Sequence, residues 1–310
     1  MVQIMGIVNV TPDSFWEPSR VSIPDAAVDH VQTMLEQGAD IIDIGAVSTR
    51  PGSAPVSASE EWGRLEPVLR ALQNTPIGAV GHRSSRAETA PTLAGLTVRS
   101  SSRAETAPTL AGNLHTLRLS VDTTRAEIVR RVFDLVGPFI VNDISAGEDD
   151  PDMLPTVGRL GLPFIAMHKR GGPQTMDDLC DYPESVVPAL LEYFREFDLR
   201  ASRYGIRDWI LDPGLGFAKT SEQCWEILRR LPELRALGRP ILIGAADKRF
   251  TRSVPEEVAT LPTSKFGSGD GDPASENGTV VAHRLAIASG ADILRVHEVT
   301  AAKVLLPRGR

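Results

Sequence analysis

Eight short aliphatic runs, most of them separated by amphipathic helical patterns, predict an α/β chain folded as a single-domain TIM-type (β/α)8 barrel over residues 1–310. The runs are IMGIVNV at 4–10, IIDIGAV at 41–47, LRLSVDT at 117–123, FIVNDIS at 139–145, FIAMH at 164–168, WILDPG at 209–214, ILIGAA at 241–246 and ILRVHEV at 293–299. Their apolar residues do not alternate with polar ones, as expected of parallel strands covered on both faces. No Gly-rich dinucleotide turn follows the first run, which argues against an open doubly wound sheet.

The helices follow from spacing. Residues 24–37 place Ala27, Val31, Met34 and Leu35 on one stripe, with Ser22 as N-cap and Gly38 suited to a left-handed position past the end. Segments 59–72, 124–135, 184–203 and 221–231 repeat the pattern, and Pro67 should kink the first of them. A last pair of helical turns is expected at 279–289. Two connections are too long for a simple strand–helix–strand unit. In the first, SSRAETAPTLAG at 84–95 recurs at 101–112, a tandem duplication too short and too few for a solenoid. Its Ser/Thr/Ala/Pro-rich composition predicts a flexible insertion at about 78–113. The second, PTSKFGSGDGDPASENG at 262–278, reads as a solvated loop; Asp270 and Asp272 do not make a complete calcium loop.

Composition narrows the function. A net charge of −7, from 33 basic and 40 acidic residues, disfavours nucleic acid as a partner. No apolar run reaches membrane-spanning length, so the expectation is a soluble, cytoplasmic protein. Cys180 and Cys224 lie far apart with no Cys/His cluster beside them, which predicts free thiols.

Barrel enzymes work at the C-terminal ends of their strands, and here every strand ends polar. The terminal residues are Asn9, Asp43, Asp122, Asn142 with Asp143, His168, Asp212, Lys248, and Arg295 with His297. Any one could be a loop cap or a satisfied core group, but eight together point to a site. Asp122, Asn142, Asp212 and Lys248 suit a flat heterocycle with N–H and C=O edges, whereas Arg50, Arg295 and His297 suit an oxyanion. Asn9 adds a neutral oxygen, and with a magnesium ion these groups could hold a diphosphate.

The motifs MGIVNVTPDSF at 5–15, STRPG at 48–52, SVDT at 120–123, NDIS at 142–145, MH at 167–168, LDPGLGFAKT at 211–220 and RVHEV at 295–299 resemble, in order, the dihydropteroate synthase family of pterin-binding enzymes. The resemblance implies condensation of 6-hydroxymethyl-7,8-dihydropterin diphosphate with 4-aminobenzoate in folate synthesis, and a sulfonamide target. It implies a pterin pocket of Asp122, Asn142, Asp212 and Lys248, completed by Met167, Phe217 and Lys219. Arg295 would stack on the pterin and, with His297, Asn9, Thr49 and Arg50, meet the diphosphate and its Mg2+. Asp122, Lys248 and Arg295 form the implied catalytic set, and Asn9 the implied metal ligand. Loops around Thr11–Phe15 and Ser48–Gly52 would close over the intermediate, and a homodimer is implied.

The sequence departs from the family pattern in three places. Trp16-Glu17-Pro18-Ser19 replaces a Gly-rich stretch, Ala46-Val47 lacks an acidic residue, and Ala246-Asp247 precedes Lys248 where the family has Ser-Arg. Asp247 either meets an incoming carboxylate unfavourably or turns outward to pair with Arg249 or Arg252. These departures keep open a pterin-binding paralogue with lost or altered aminobenzoate condensation. The methyl-transferring branch is disfavoured by Arg50, Lys219 and Lys248, and a non-enzymatic scaffold by the polar strand ends.

Overall fold

A computed structural model of the chain describes residues 2–11, 23–47, 56–75, 117–172, 174–246, 248–259 and 277–306. The strands are β1 (Gln3–Asn9), β2 (Ile41–Gly45), β3 (Leu119–Asp122), β4 (Ile140–Asp143), β5 (Phe164–Met167), β6 (Trp209–Asp212), β7 (Leu242–Ile243) and β8 (Ile293–Val296). All pair in parallel, in the order β6-β5-β4-β3-β2-β1-β8-β7. A parallel bridge between Leu211 and Ile241 joins β6 to the start of β7 and closes the barrel.

The helices are α1 (Ile23–Glu36), α2 (Ala58–Asn74), α3 (Ala126–Val136), α4 (Met153–Leu160), α5 (Val186–Arg203), α6 (Ser221–Arg229), α7 (Leu231–Leu234), α8 (Glu256–Ala259), α9 (Gly278–Ala288) and α10 (Val299–Val304). Each helix read from spacing is present to within a few residues. Gly38 takes the left-handed conformation, φ +97°, that ends α1. Ser57 caps α2, accepting from the Glu60 amide at 3.2 Å, and the helix continues through Pro67. Cys180 and Cys224 are free thiols. Among the described residues no helix is long and apolar enough to cross a membrane. Ser22 and the insertion at 78–113 lie outside the described residues.

Packing explains both the absence of alternation and the position of the site. Outward side chains such as Ile4, Val8, Ile42, Ile44, Val121 and Val141 pack under the helices in one core. Inward ones form a second cluster of Met5, Ile41, Ile140, Ile165, Ile210, Leu242 and Ile293, which fills the lower barrel. Burying each of these is worth about 1.5–3 kcal/mol, so this apolar floor is a substantial part of the stability. Side chains alternate across a strand, so the next inward residue lies two positions on. Ile41 is thus followed by Asp43, Ile140 by Asn142, Ile165 by Met167, Ile210 by Asp212 and Ile293 by Arg295. The site is built directly on the floor.

Candidate active site

Arg295 links three strands at the centre of this upper layer. Its Nε donates to Asp43 Oδ2 at 2.7 Å and its Nη2 to Asp122 Oδ2 at 2.9 Å. Asn142 Nδ2 donates to the same Asp43 oxygen at 3.0 Å. Burial works against the Arg295 charge, but Asp43 and Asp122 outweigh it and hold the guanidinium firmly protonated. Asp122 stands differently: burial pushes its carboxyl up to about 7, although Arg295 pulls it down. Its side chain is 15% exposed, so it faces the mouth, whereas Asp43 is fully enclosed.

The opposite wall comes from β6 and the segment after β7. Asp212 Oδ1 accepts from the Gly214 amide at 2.8 Å, and burial raises its pKa while Lys248 pulls it down. Lys248 Nζ donates to the Leu215 carbonyl at 2.5 Å and lies 5.0 Å from the Phe217 ring centroid. Ala218 adopts a positive φ of 51°, an unfavourable conformation for a residue with a Cβ, and its carbonyl accepts from Tyr182 Oη at 3.0 Å. Beyond that turn the Phe217 ring meets Lys248, while Lys219 meets His168.

Lys219 follows this turn and lies among acceptors from the end of β5 and the loop after β6. Its ammonium is 2.9 Å from His168 Nδ1, 3.0 Å from the Phe217 carbonyl and 3.4 Å from the His168 carbonyl. Burial drives Lys219 down to about 7 and His168 down to about 2, so the imidazole is neutral and Nδ1 accepts. Tyr193 packs edge-on against His168, with centroids 4.7 Å apart. The lysine therefore ties the end of β5 to the loop after β6. The physical reason is its burial: an ammonium 6% exposed must find acceptors within the fold.

Of the other implied residues, Asp122, Asn142, Met167, Asp212, Lys248 and Arg295 come together around the same end of the barrel. Asn9 ends β1 on the same rim; a Cβ at Gly45 would lie 3.8 Å from its Oδ1 and 3.4 Å from Asp122 Cβ. His297 is half-buried just beyond β8. Asp143 is on the outer face of β4, accepting from the Ser145 amide and hydroxyl and the Gly147 amide, so it shapes its own turn. Thr49, Arg50, Asp247 and the loop residues 12–15 lie outside the described residues. Arg249 pairs with Asp177 at 2.6 Å across the rim.

Two residues were not assigned roles from sequence. Asp43 was visible as a strand end, but its part as acceptor for Arg295 and Asn142 was not. Glu61, buried on α2, accepts from Thr123 Oγ1 at 2.6 Å and pairs with Arg125, whose Nη2 donates to the Val56 carbonyl at 2.5 Å. An acid on the stripe with Leu65, Val68 and Leu72 was the available signal.

A parallel barrel with an apolar floor and carboxylates, an amide, lysines and an arginine gathered at the C-terminal ends of its strands has the architecture of a small-molecule enzyme. Residues 5–83 and 98–297 match the family described as pterin binding enzyme, and the chain belongs to that family. The break in the match falls inside the duplicated segment. The chain is 36% identical over 301 residues to dihydropteroate synthase of Synechocystis sp., covering 96% of this chain and 86% of that protein. It is similar to the solved dihydropteroate synthase of Xanthomonas albilineans with 4-aminobenzoic acid, at 31% identity and a TM-score of 0.70, covering 98% of this chain and 90% of that one. The same enzyme in complex with 7,8-dihydropteroate gives 29% identity and a TM-score of 0.68 over 98% and 90% of the two chains.

Proposed function

We propose that this chain is a transferase that condenses 6-hydroxymethyl-7,8-dihydropterin diphosphate with 4-aminobenzoate, releasing diphosphate and forming 7,8-dihydropteroate. The observation that carries it is the convergence of Asp122, Asn142, Asp212, Lys248 and Arg295 on one mouth, in a chain whose relatives bear that name. Asp122, Asn142 and Asp212 offer acceptors to ring N–H groups, and Lys248 donates to a ring carbonyl or nitrogen. Met167 and Phe217 supply apolar contact, and Arg295 covers a ring face.

The C–O bond to diphosphate breaks first, leaving a cationic pterin methylene, and the amine of aminobenzoate then attacks that carbon and loses a proton. Asp122, unshielded on its mouth side, stabilises the cation. Arg295, His297, Thr49 and Arg50 are proposed to hold the departing anion. Among the described residues no group of three or more His, Cys, Asp or Glu side chains is placed to bind a metal. Asn9, whose side-chain oxygen lies on the rim near Gly45 and Asp122, would be the protein's oxygen ligand to a Mg2+ ion. When bound, the ion would supply charge neutralisation to the leaving group.

Diphosphate release in the presence of both substrates, abolished by a magnesium chelator and restored by added magnesium, is the expected result. Pterin binding without any release would favour the paralogue with lost condensation. A homodimer and a cytoplasmic location belong to the same reading.

The Ala246-Asp247 segment bears on sulfonamides, which resemble aminobenzoate. With the family's serine and arginine replaced, inhibition should be weak. An Ala246→Ser, Asp247→Arg double variant should be inhibited more strongly in the same release assay, by about tenfold for one regained charge-assisted hydrogen bond. Unchanged inhibition would show that the segment faces elsewhere.

A further inference from the structure

Asp43 has no solvent access, yet it lies in the upper layer among the groups assigned to the substrate. Its Oδ2 takes both available donors, Arg295 Nε and Asn142 Nδ2. Its Oδ1 hydrogen-bonds to nothing among the described residues, and neither does the hydroxyl of Ser120, its neighbour in register on β3. A fully buried carboxylate with an unused oxygen is costly to keep, and hydrophobic residues fill the equivalent place one layer down. Its value must lie in what it does to its two donors.

We infer that Asp43 is a positioning residue: it sets the plane of the Arg295 guanidinium and the orientation of the Asn142 amide, and so determines which edges the site offers to a bound ring. Asp43 holds Nε while Asp122 holds Nη2, so two carboxylates on adjacent strands fix the planar fork at two points. An asparagine side chain can present either end of its amide. Because its NH2 group is committed to Asp43, the Asn142 carbonyl oxygen is left for the mouth, and the site then selects a ring with an N–H donor at that position. Asp43 touches no substrate and acts through these two residues.

The inference rests on the proposed pterin reaction for its kinetic arm but not for its spectroscopic one. In the ligand-free wild type, 15N NMR should find the Arg295 Nε–H slow to exchange, because its acceptor is sealed from water; rapid exchange would overturn the proposal. In Asp43→Val that protection should be lost and the two Asn142 amide protons should become averaged. The same variant should raise KM for pterin diphosphate about tenfold or more with a smaller change in kcat, since a ground-state contact is disordered. Asp43→Asn, which keeps an acceptor of the same shape, should recover most of the KM. A folded Asp43→Val with unchanged KM and retained Arg295 protection would refute the positioning role. If Asp43→Val does not fold, the wild-type exchange measurement decides. If the wild type releases no diphosphate, the pterin reaction fails and the NMR comparison still decides the role of Asp43.

Discussion

Asp122→Asn should lose diphosphate release by about a hundredfold or more while making the ligand-free protein more stable at alkaline pH. The two effects have one origin. Burial raises the Asp122 carboxyl from 3.8 to about 7, with Arg295 opposing the shift and Asp43, Asp143 and Glu61 adding to it. A carboxyl whose pKa is higher in the folded than in the unfolded chain favours folding most when it is protonated, and that contribution is lost as pH rises through the folded value. Above about pH 7 the wild type therefore carries an ionised Asp122 that weakens the fold, and between about 7 and 4 acidification relieves the penalty. Asparagine removes the penalty, and Arg295 keeps its pairing with Asp43. What asparagine cannot supply is a full negative charge opposite a cationic methylene. Thermal denaturation at pH 8 and pH 4 should show the variant more stable at the first and nearly equal to wild type at the second. Retention of a tenth of wild-type release would remove Asp122 from its proposed role.

The largest stability loss is expected from Gly214→Ala. Gly214 has φ +67°, and a Cβ there would lie 2.1 Å from the His168 carbonyl oxygen, a backbone atom that cannot step aside. Gly161 is the internal comparison, with φ +64° and nothing within 4 Å of its Cβ position. Gly161→Ala should cost about 1 kcal/mol of conformational strain, whereas Gly214→Ala adds a backbone clash and should cost about 3 kcal/mol or more. The same displacement would withdraw the Gly214 amide from Asp212 and disturb the Leu215 carbonyl that receives Lys248. Urea unfolding of the two variants side by side separates strain from clash; equal midpoints would show that the loops after β5 and β6 can part cheaply. The glycine of the Asp-Pro-Gly segment is thus a contact point between two loops as much as a turn residue.

The fold was legible because parallel strands buried on both faces leave long apolar runs, and all eight runs became strands. The runs overshoot the strands where the chain leaves the ladder while remaining apolar: the run at 241–246 predicts a strand, but β7 is Leu242–Ile243. Gly244 and Ala245 carry no polar signal that could have marked the boundary. Candidate site residues were legible where strand polarity changed in the inward register, as at Asp122, Asn142 and Asp212. Facing was not legible. Asn142 and Asp143 are adjacent in sequence, yet one enters the mouth and the other caps a turn, because pleating sends them to opposite sides. Lys219 was likewise identified by motif, while its direction depended on the left-handed Ala218 before it.

The short seventh strand also bears on how such a protein changes over generations. β7 contributes two residues to the ladder and meets β6 through a bridge beside it, and Gly244, Ala245 and Ala246 after it lie outside the strand. The ammonium is kept in place from its far end, by the Leu215 carbonyl and the Phe217 ring. Ala246 lies just past that short strand, so a change there can leave the lysine's anchors at Leu215 and Phe217 intact.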